Sequence, residues 1–325
     1  MAEEANGEGS GAVKGMIPGV FDMHIHTAPD LAPRKTDDLE LARRAAQAGM
    51  GGFVIKSHLG SSVERALLIN KMVPGVRVFG GVTLNFTIGG LNPFAVDAYV
   101  RLGAKEVWMP SLSAQYTLTY QQEHVPLEDR IAFNMSHGGA FTPPSMNVQP
   151  GDPWPWSRNG RGISIFDEAG KILPEVWAIL EILAPTEAIL GTAHLSVPET
   201  HALVDAARQM GVRRILATHP EYMAPLSVED QRLLAGKGVF FERCLAGTTV
   251  ITKAVGGFFP FERIADNIRA VGTATTVLAT DFGQTKNIHP VEGMGEYLEL
   301  LARAGFTDRE IETMAIQNPR ALLGI

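Results

Sequence analysis

The segment GVFDMHIHTAPD, residues 19–30, ends a short apolar run with two histidines one residue apart and passes at once into a proline-marked loop. Side chains alternate faces along an extended strand, so His24 and His26 share a face, with Asp22 below them on the same side. Two imidazoles aimed the same way from a strand end have the geometry of metal ligands. A core histidine beside a surface one would leave the same trace, so the rest of the chain has to decide.

Working outward, the pattern around this segment recurs. A short apolar, β-rich run ends in one or two polar residues, a loop follows, and then an amphipathic helix. The expected strands are GVFDMHIH, GGFVIKSH, VRVFGGVTLN, KEVWMPS, EAILGTAHLS, RRILATHP, GVFFERC and TTVLATDFG. Capping boxes mark helix starts at Ser61-x-x-Glu64, Ser196-x-x-Glu199 and Thr307-x-x-Glu310. Alternation of this kind predicts a parallel sheet covered by helices. The number of units matches a (β/α)8 TIM barrel, with a doubly wound open sheet as the alternative. The surplus length falls in an acidic, Gly- and Ala-rich tail, residues 1–15, expected to be disordered, and in a long insertion between strands four and five, about residues 111–187. Residues 16–325 are thus read as one domain. The insertion contains FTPPSMNVQPGDPWPWSRNGRG, too rich in Pro, Gly and Asn for regular structure, and a hairpin expected to turn at Glu168-Ala169-Gly170. Trp154 and Trp156 are its candidate apolar contacts, either as part of a lid or in simple packing on the barrel.

Composition narrows the class of partner. A chain of 325 residues that is 45% hydrophobic can bury a large core. A net charge of −7 without a dense basic block argues against nucleic acid or an anionic membrane surface, and no apolar run has the length of a spanning helix. A small-molecule substrate is the expected partner, with a homo-oligomer left open. Cys244 is the only cysteine, so no intrachain disulfide can form, and a cytoplasmic setting is expected.

Chemistry in a barrel of this type sits at the C-terminal strand ends. Reading those ends gives His24 and His26, Lys56 and His58, His194, His219, Glu242 and Arg243, and Asp281. Five of the nine histidines therefore fall at strand ends; His201 lies on a helix's polar side, and His124 and His289 are given no metal role. Imidazoles converging with a carboxylate suit a divalent transition metal, zinc by default, with manganese, iron or nickel possible.

In order and strand position, FDMHIHTAPD, GTAHLS, LATHP and LATDFG resemble the motifs of the amidohydrolase superfamily of metal-dependent hydrolases, and NPRALLGI resembles that superfamily's C-terminal helix. The resemblance runs from about Val20 to the C-terminus and is nearest to an uncharacterised amidohydrolase-related group. It implies a first metal on His24, His26 and Asp281, a second on His194 and His219, and Asp281 as the base that takes a proton from metal-activated water. Binuclear members carry a bridging carboxylated lysine or a glutamate at the end of strand four, where VWMPSLSAQ has neither. Either strand two supplies the missing group, Lys56 as a carbamate or His58 as an extra imidazole, or the site is mononuclear, with His24, His26, His194 and Asp281 as ligands and His219 orienting the water. Lys56 could instead balance Asp22 or bind an anion. Arg34, Lys56 and Arg243 are candidate clamps for a substrate carboxylate or phosphate. The expected activity is hydrolysis of an amide, lactone or other ester bond of a small molecule. The alternatives are a phosphoesterase of the polymerase-and-histidinol-phosphatase type, a metal-dependent decarboxylase and, last, a non-enzymatic scaffold.

Overall fold

A computed structural model describes residues 18–129, 157, 161–249, 252 and 257–325. The tail at residues 1–15 and the two insertion tryptophans, Trp154 and Trp156, lie outside the described residues.

All eight expected strands are present: β1 (Phe21–Ile25), β2 (Gly52–Ile55), β3 (Arg77–Thr83), β4 (Glu106–Trp108), β5 (Ile189–Gly191), β6 (Ile215–Thr218), β7 (Phe240–Cys244) and β8 (Thr276–Ala279). They form one sheet in sequence order, each parallel to the next. The sheet closes. The His24 carbonyl accepts from Asp281 N at 2.8 Å, and His26 N donates to the Phe282 carbonyl at 2.8 Å. Closure decides for the barrel over the open sheet.

Helices α1 (Asp38–Gln47), α2 (Val63–Met72), α3 (Pro93–Leu102), α4 (Gln115–His124), α5 (Pro174–Leu183), α6 (Val197–Met210), α7 (Val228–Gly236), α8 (Glu262–Val271) and α9 (Pro290–Arg303) follow the strands, with α10 (Asp308–Glu312) and α11 (Asn318–Leu323) at the end of the chain. Their apolar faces and the outward side chains of the strands form one continuous core, in which Phe53, Leu190, Phe241 and Leu278 are wholly buried. None of the helices among the described residues is long and apolar enough to cross a membrane.

Two of the expected capping boxes form in full, at Ser196–Glu199 on α6 and Thr307–Glu310 on α10. The third shifts by a residue. The helix N-cap is Ser62, whose hydroxyl donates instead to the Ile55 carbonyl at 2.6 Å, while Ser61 Oγ accepts from Val63 N and donates to Glu64. An Asp230 box on Ser227 opens α7 as well. In the β4–β5 connection the expected hairpin turn occurs: Phe166 bridges Ile172, and Gly170 takes a left-handed φ of 74°. The same connection also contributes regular barrel structure, because α5 packs between α3 and α6 in the outer helix layer. Glu199 ties the segment down by accepting from Ser164 Oγ at 2.7 Å and Ile165 N at 3.0 Å.

Candidate metal centre

Because β1 alternates, Asp22, His24 and His26 point into the barrel while Met23 turns to the helices. At the mouth, His24 Nε2 and His26 Nε2 are 3.2 Å apart, and Asp281 Oδ1 lies 3.4 Å from the first and 3.2 Å from the second. Donors bound tetrahedrally at about 2.0–2.1 Å would be about 3.3 Å apart, so this near-equilateral triangle has the spacing of three ligands of one ion. The residues present therefore fit a divalent metal. A second group of close donors, His24 Nδ1, Glu242 Oε1 and Cys244 Sγ, does not fit one. Its 2.6 Å N–O separation is that of a hydrogen bond, and its 4.0 Å N–S separation is wider than the roughly 3.6 Å between tetrahedral N and S ligands of one ion.

The remaining strand-end imidazoles flank the triangle. His219 stacks over His24 with ring centroids 6.2 Å apart, His194 lies 4.9 Å from His219, and His58 stacks on His26 at 4.6 Å. Two of these rings have their tautomers fixed by their neighbours. His219 Nδ1 can only donate to the Tyr222 carbonyl, 3.1 Å away. His194 Nδ1 is 3.0 Å from Thr117 Oγ1, whose proton goes to the Ser111 carbonyl, so the ring must be the donor. In both rings Nε2 keeps its lone pair free for a ligand. His58 Nδ1 sits 3.0 Å from Ser111 Oγ, which Asn85 at the end of β3 also contacts at 3.0 Å.

Burial pushes all five imidazoles below their ordinary range, His24 to about 3 and His219 to about 4, with the Lys56 cation adding to the effect on both. Neutral imidazole is the ligating form. Three non-glycine residues at strand ends, Ala193, His219 and Asp281, take left-handed φ values of 47°, 31° and 53°. Strain of this kind costs on the order of 1–3 kcal/mol per residue and is retained where the surrounding structure over-determines it. Gly283 is required beside them, since a Cβ there would collide with the His26 carbonyl.

Below the triangle the barrel interior is polar. Asp22 Oδ1 accepts from Thr280 N at 2.9 Å and from His24 N at 3.1 Å, and Asp22 Oδ2 accepts from Thr280 Oγ1 at 2.6 Å. Asp22 is therefore occupied by β8 and is not Lys56's partner. Lys56 is 1% exposed; its Nζ has no hydrogen-bond partner among the described residues and lies 5.6 Å from the centre of the Trp108 ring. No lysine or glutamate stands at the end of strand four, but Glu106 begins β4 inside the barrel, wholly buried, with neither carboxyl oxygen paired among the described residues. Burial, then the nearby Glu242, raises its carboxyl well above the usual range, with Lys56 opposing.

The candidate clamps separate. Arg34 stays near the mouth, its side chain 2% exposed and held by Asp30 through contacts of 2.7 and 2.9 Å. Arg243 does not. It follows inward-facing Glu242, so it must face outward, where its fully buried guanidinium pairs with Glu221 and donates to Gln231 at 2.6 Å. This placement corrects the expectation that Arg243 clamps a substrate. His201, on the polar side of α6, joins that helix to α7 through Asp230 at 2.8 Å.

Sequence reasoning missed Tyr222. Its ring stacks on His219 at 4.4 Å, its carbonyl sets the His219 tautomer, and its hydroxyl donates to Asp281 Oδ2. Burial holds that phenol well above its ordinary pKa, so it remains a donor. The position three residues after a strand-end histidine was the available signal.

Comparison with known proteins agrees with the barrel. An amidohydrolase from Pseudomonas aeruginosa superposes with a TM-score of 0.59 at 11% identity, covering 94% of this chain and 95% of that one. The inactive dihydroorotase-like domain of a CAD-like multifunctional protein from Chaetomium thermophilum gives 0.55 at 13% identity, over 95% and 80% of the two chains. The phosphotriesterase homology protein from Escherichia coli gives 0.54 at 12%, over 94% and 98%. At these identities the likeness is one of fold, and it bears out the (β/α)8 barrel. No curated protein matches the sequence. A family model described as "Family of unknown function (DUF6282)" matches residues 19–242. With most of the chain so matched, the protein belongs to the DUF6282 family, on a (β/α)8 barrel.

Proposed function

We propose that the protein is a metal-dependent hydrolase that cleaves an amide, lactone or other ester bond of a small molecule. The observation that carries this reading is the 3.2–3.4 Å triangle of His24 Nε2, His26 Nε2 and Asp281 Oδ1 at the barrel mouth. His24, His26 and Asp281 would hold a divalent ion, zinc by default, with the free Nε2 atoms of His194 and His219 available to a second ion or to the substrate's oxygen. A bound metal supplies acidified water and polarises a carbonyl or phosphoryl oxygen. Asp281 would also take the proton as general base, with the Tyr222 hydroxyl orienting its carboxylate through Oδ2. Arg34 and Lys56 put positive charge beside the imidazoles, which favours a substrate bearing a carboxylate or phosphate. The phosphoesterase reading draws on His58, an added strand-two imidazole stacked on His26.

The test is elemental analysis of protein grown with added zinc, manganese, iron or nickel, followed by turnover of paired amide, lactone and phosphate-ester substrates. Bound metal with amide or lactone turnover supports the proposal. Phosphate-ester turnover alone would transfer it to the phosphoesterase reading, and absence of transition metal from every preparation would overturn both.

A further inference from the structure

His24 differs from the other imidazoles of the mouth in what holds its far nitrogen. His219 and His194 lean on a backbone carbonyl and a hydroxyl, whereas His24 Nδ1 lies 2.6 Å from a carboxylate oxygen, Glu242 Oε1, at the opposite side of the barrel seam on β7. Cys244, two residues further along the same inward face, donates its thiol to that same oxygen at 3.2 Å. All three side chains are wholly or almost wholly buried. With Glu242 ionised, its Oε1 accepts from the ring as well as from the thiol, and the ring proton then sits on Nδ1. The Nε2 lone pair is then directed at His26 Nε2 and Asp281 Oδ1.

We infer that Glu242 is the positioning residue of the candidate metal centre: with Cys244 it fixes the tautomer and orientation of His24, so that Nε2 faces the ion. The inference rests on the metal reading above. It goes beyond that reading by assigning a role to a β7 carboxylate that touches neither ion nor substrate. Hydrogen bonding of a ligating imidazole to a carboxylate raises its basicity as well as holding it in place, and loss of such a partner typically costs about 10- to 100-fold in metal affinity.

The experiment compares full-length wild type, Glu242→Gln and Glu242→Leu, each stripped and titrated with Zn2+ against a chromophoric chelator and then with Co2+ in the visible range. Gln keeps an acceptor of the same shape and lacks the charge; Leu leaves Nδ1–H with nothing to meet. Zn2+ affinity should fall about 10- to 100-fold in Glu242→Leu, with Glu242→Gln in between, and the Co2+ spectrum should shift. Should Leu unfold the barrel, Glu242→Gln and a second measurement carry the test. Long-range 15N–1H spectra of metal-free wild type, with His24 assigned through His24→Asn, should show a protonated Nδ1 and a bare Nε2. Wild-type affinity in both folded variants, or a His24 ring protonated on Nε2, overturns the inference and leaves the metal site standing. Failure of wild type itself to bind Zn2+ or Co2+ overturns the metal reading and this inference with it.

Discussion

Replacing Arg243 by methionine separates a buried structural pair from a substrate clamp. The guanidinium and Glu221 are both fully buried. One guanidinium nitrogen serves Glu221 and Gln231, while Nε and Nη2 find no partner among the described residues, and the cation lies 5.1 Å from the centre of the Phe241 ring. In Arg243→Met the hydrophobic stem survives, but Glu221 becomes a buried carboxylate held, among the described residues, only by Asn267 Nδ2 at 3.1 Å. Breaking a buried pair from one side costs about 3–5 kcal/mol, because the remaining charge is uncompensated. For a domain of this size that corresponds to a fall in Tm on the order of 10 °C. Removing both partners in Arg243→Met/Glu221→Leu takes away the stranded charge as well, and two desolvated ions with unpaired atoms are poorer than apolar packing. The double variant should recover most of the loss or exceed wild type by up to about 1–4 kcal/mol. Differential scanning calorimetry of the four proteins of the cycle is the assay. A single variant within about 1 °C of wild type, or a double variant worse than the single, would refute the outward placement of this pair.

Asp281→Asn should lower turnover by at least about 10²-fold with the Tm nearly unchanged, since the amide keeps the shape but takes no proton; activity within about tenfold of wild type would remove Asp281 as the base. Lys56→Ala should reduce occupancy of a second metal, measured by elemental analysis, if a carbamate there bridges two ions; full metal content with a raised KM would assign the lysine to substrate binding instead. Tyr222→Phe removes a hydrogen bond to a charged group, worth about 1.5–3 kcal/mol, so kcat should drop roughly 10- to 100-fold, and an unchanged kcat would show that Asp281 holds its position alone. Acid should destabilise the metal-free protein. The five mouth imidazoles are pushed below 6.5 by burial, so as pH falls through the unfolded value the unfolded chain takes up protons that the native state refuses. The imidazole contribution is complete above about pH 6.5 and is lost below it, by about 1.4 kcal/mol per pH unit for each histidine, outweighing the opposite contribution of the three carboxyls that burial raises, Asp22, Glu106 and Glu242. A Tm profile of chelated protein that stays flat down to about pH 5 would contradict this.

The strands were legible because each is a short β-branched or aromatic run between turn residues, and the triangle was legible because period-two alternation puts His24 and His26 on one face. The same alternation also bears on β7. Glu242 and Arg243 are neighbours in FFERC and cannot both face the mouth, so reading both as strand-end site residues overlooked a signal that was present. Other features depend on tertiary neighbours. Ser62 takes over as the α2 N-cap because β2 offers its hydroxyl a carbonyl, and Glu106 is inside the barrel at the lower end of a strand read only at its upper end. The roles of Tyr222 and Glu242 come from contacts 59 and 218 residues away in sequence. No local pattern encodes such pairings.

The seam where β8 meets β1 has a consequence for biosynthesis. Asp22 grips Thr280 from 258 residues away, and the triangle draws two corners from the first strand and one from the last. Such a pocket cannot exist on a nascent chain until the final βα unit has emerged and docked. Contacts of this sequence separation are the slow ones to form. An ion that favours the finished pocket over every partial barrel would act as a clasp, adding RT ln(1 + [metal]/Kd) to the stability of the last junction the chain makes. Metal supply during synthesis should then govern how much chain reaches the closed barrel, well before any substrate is met.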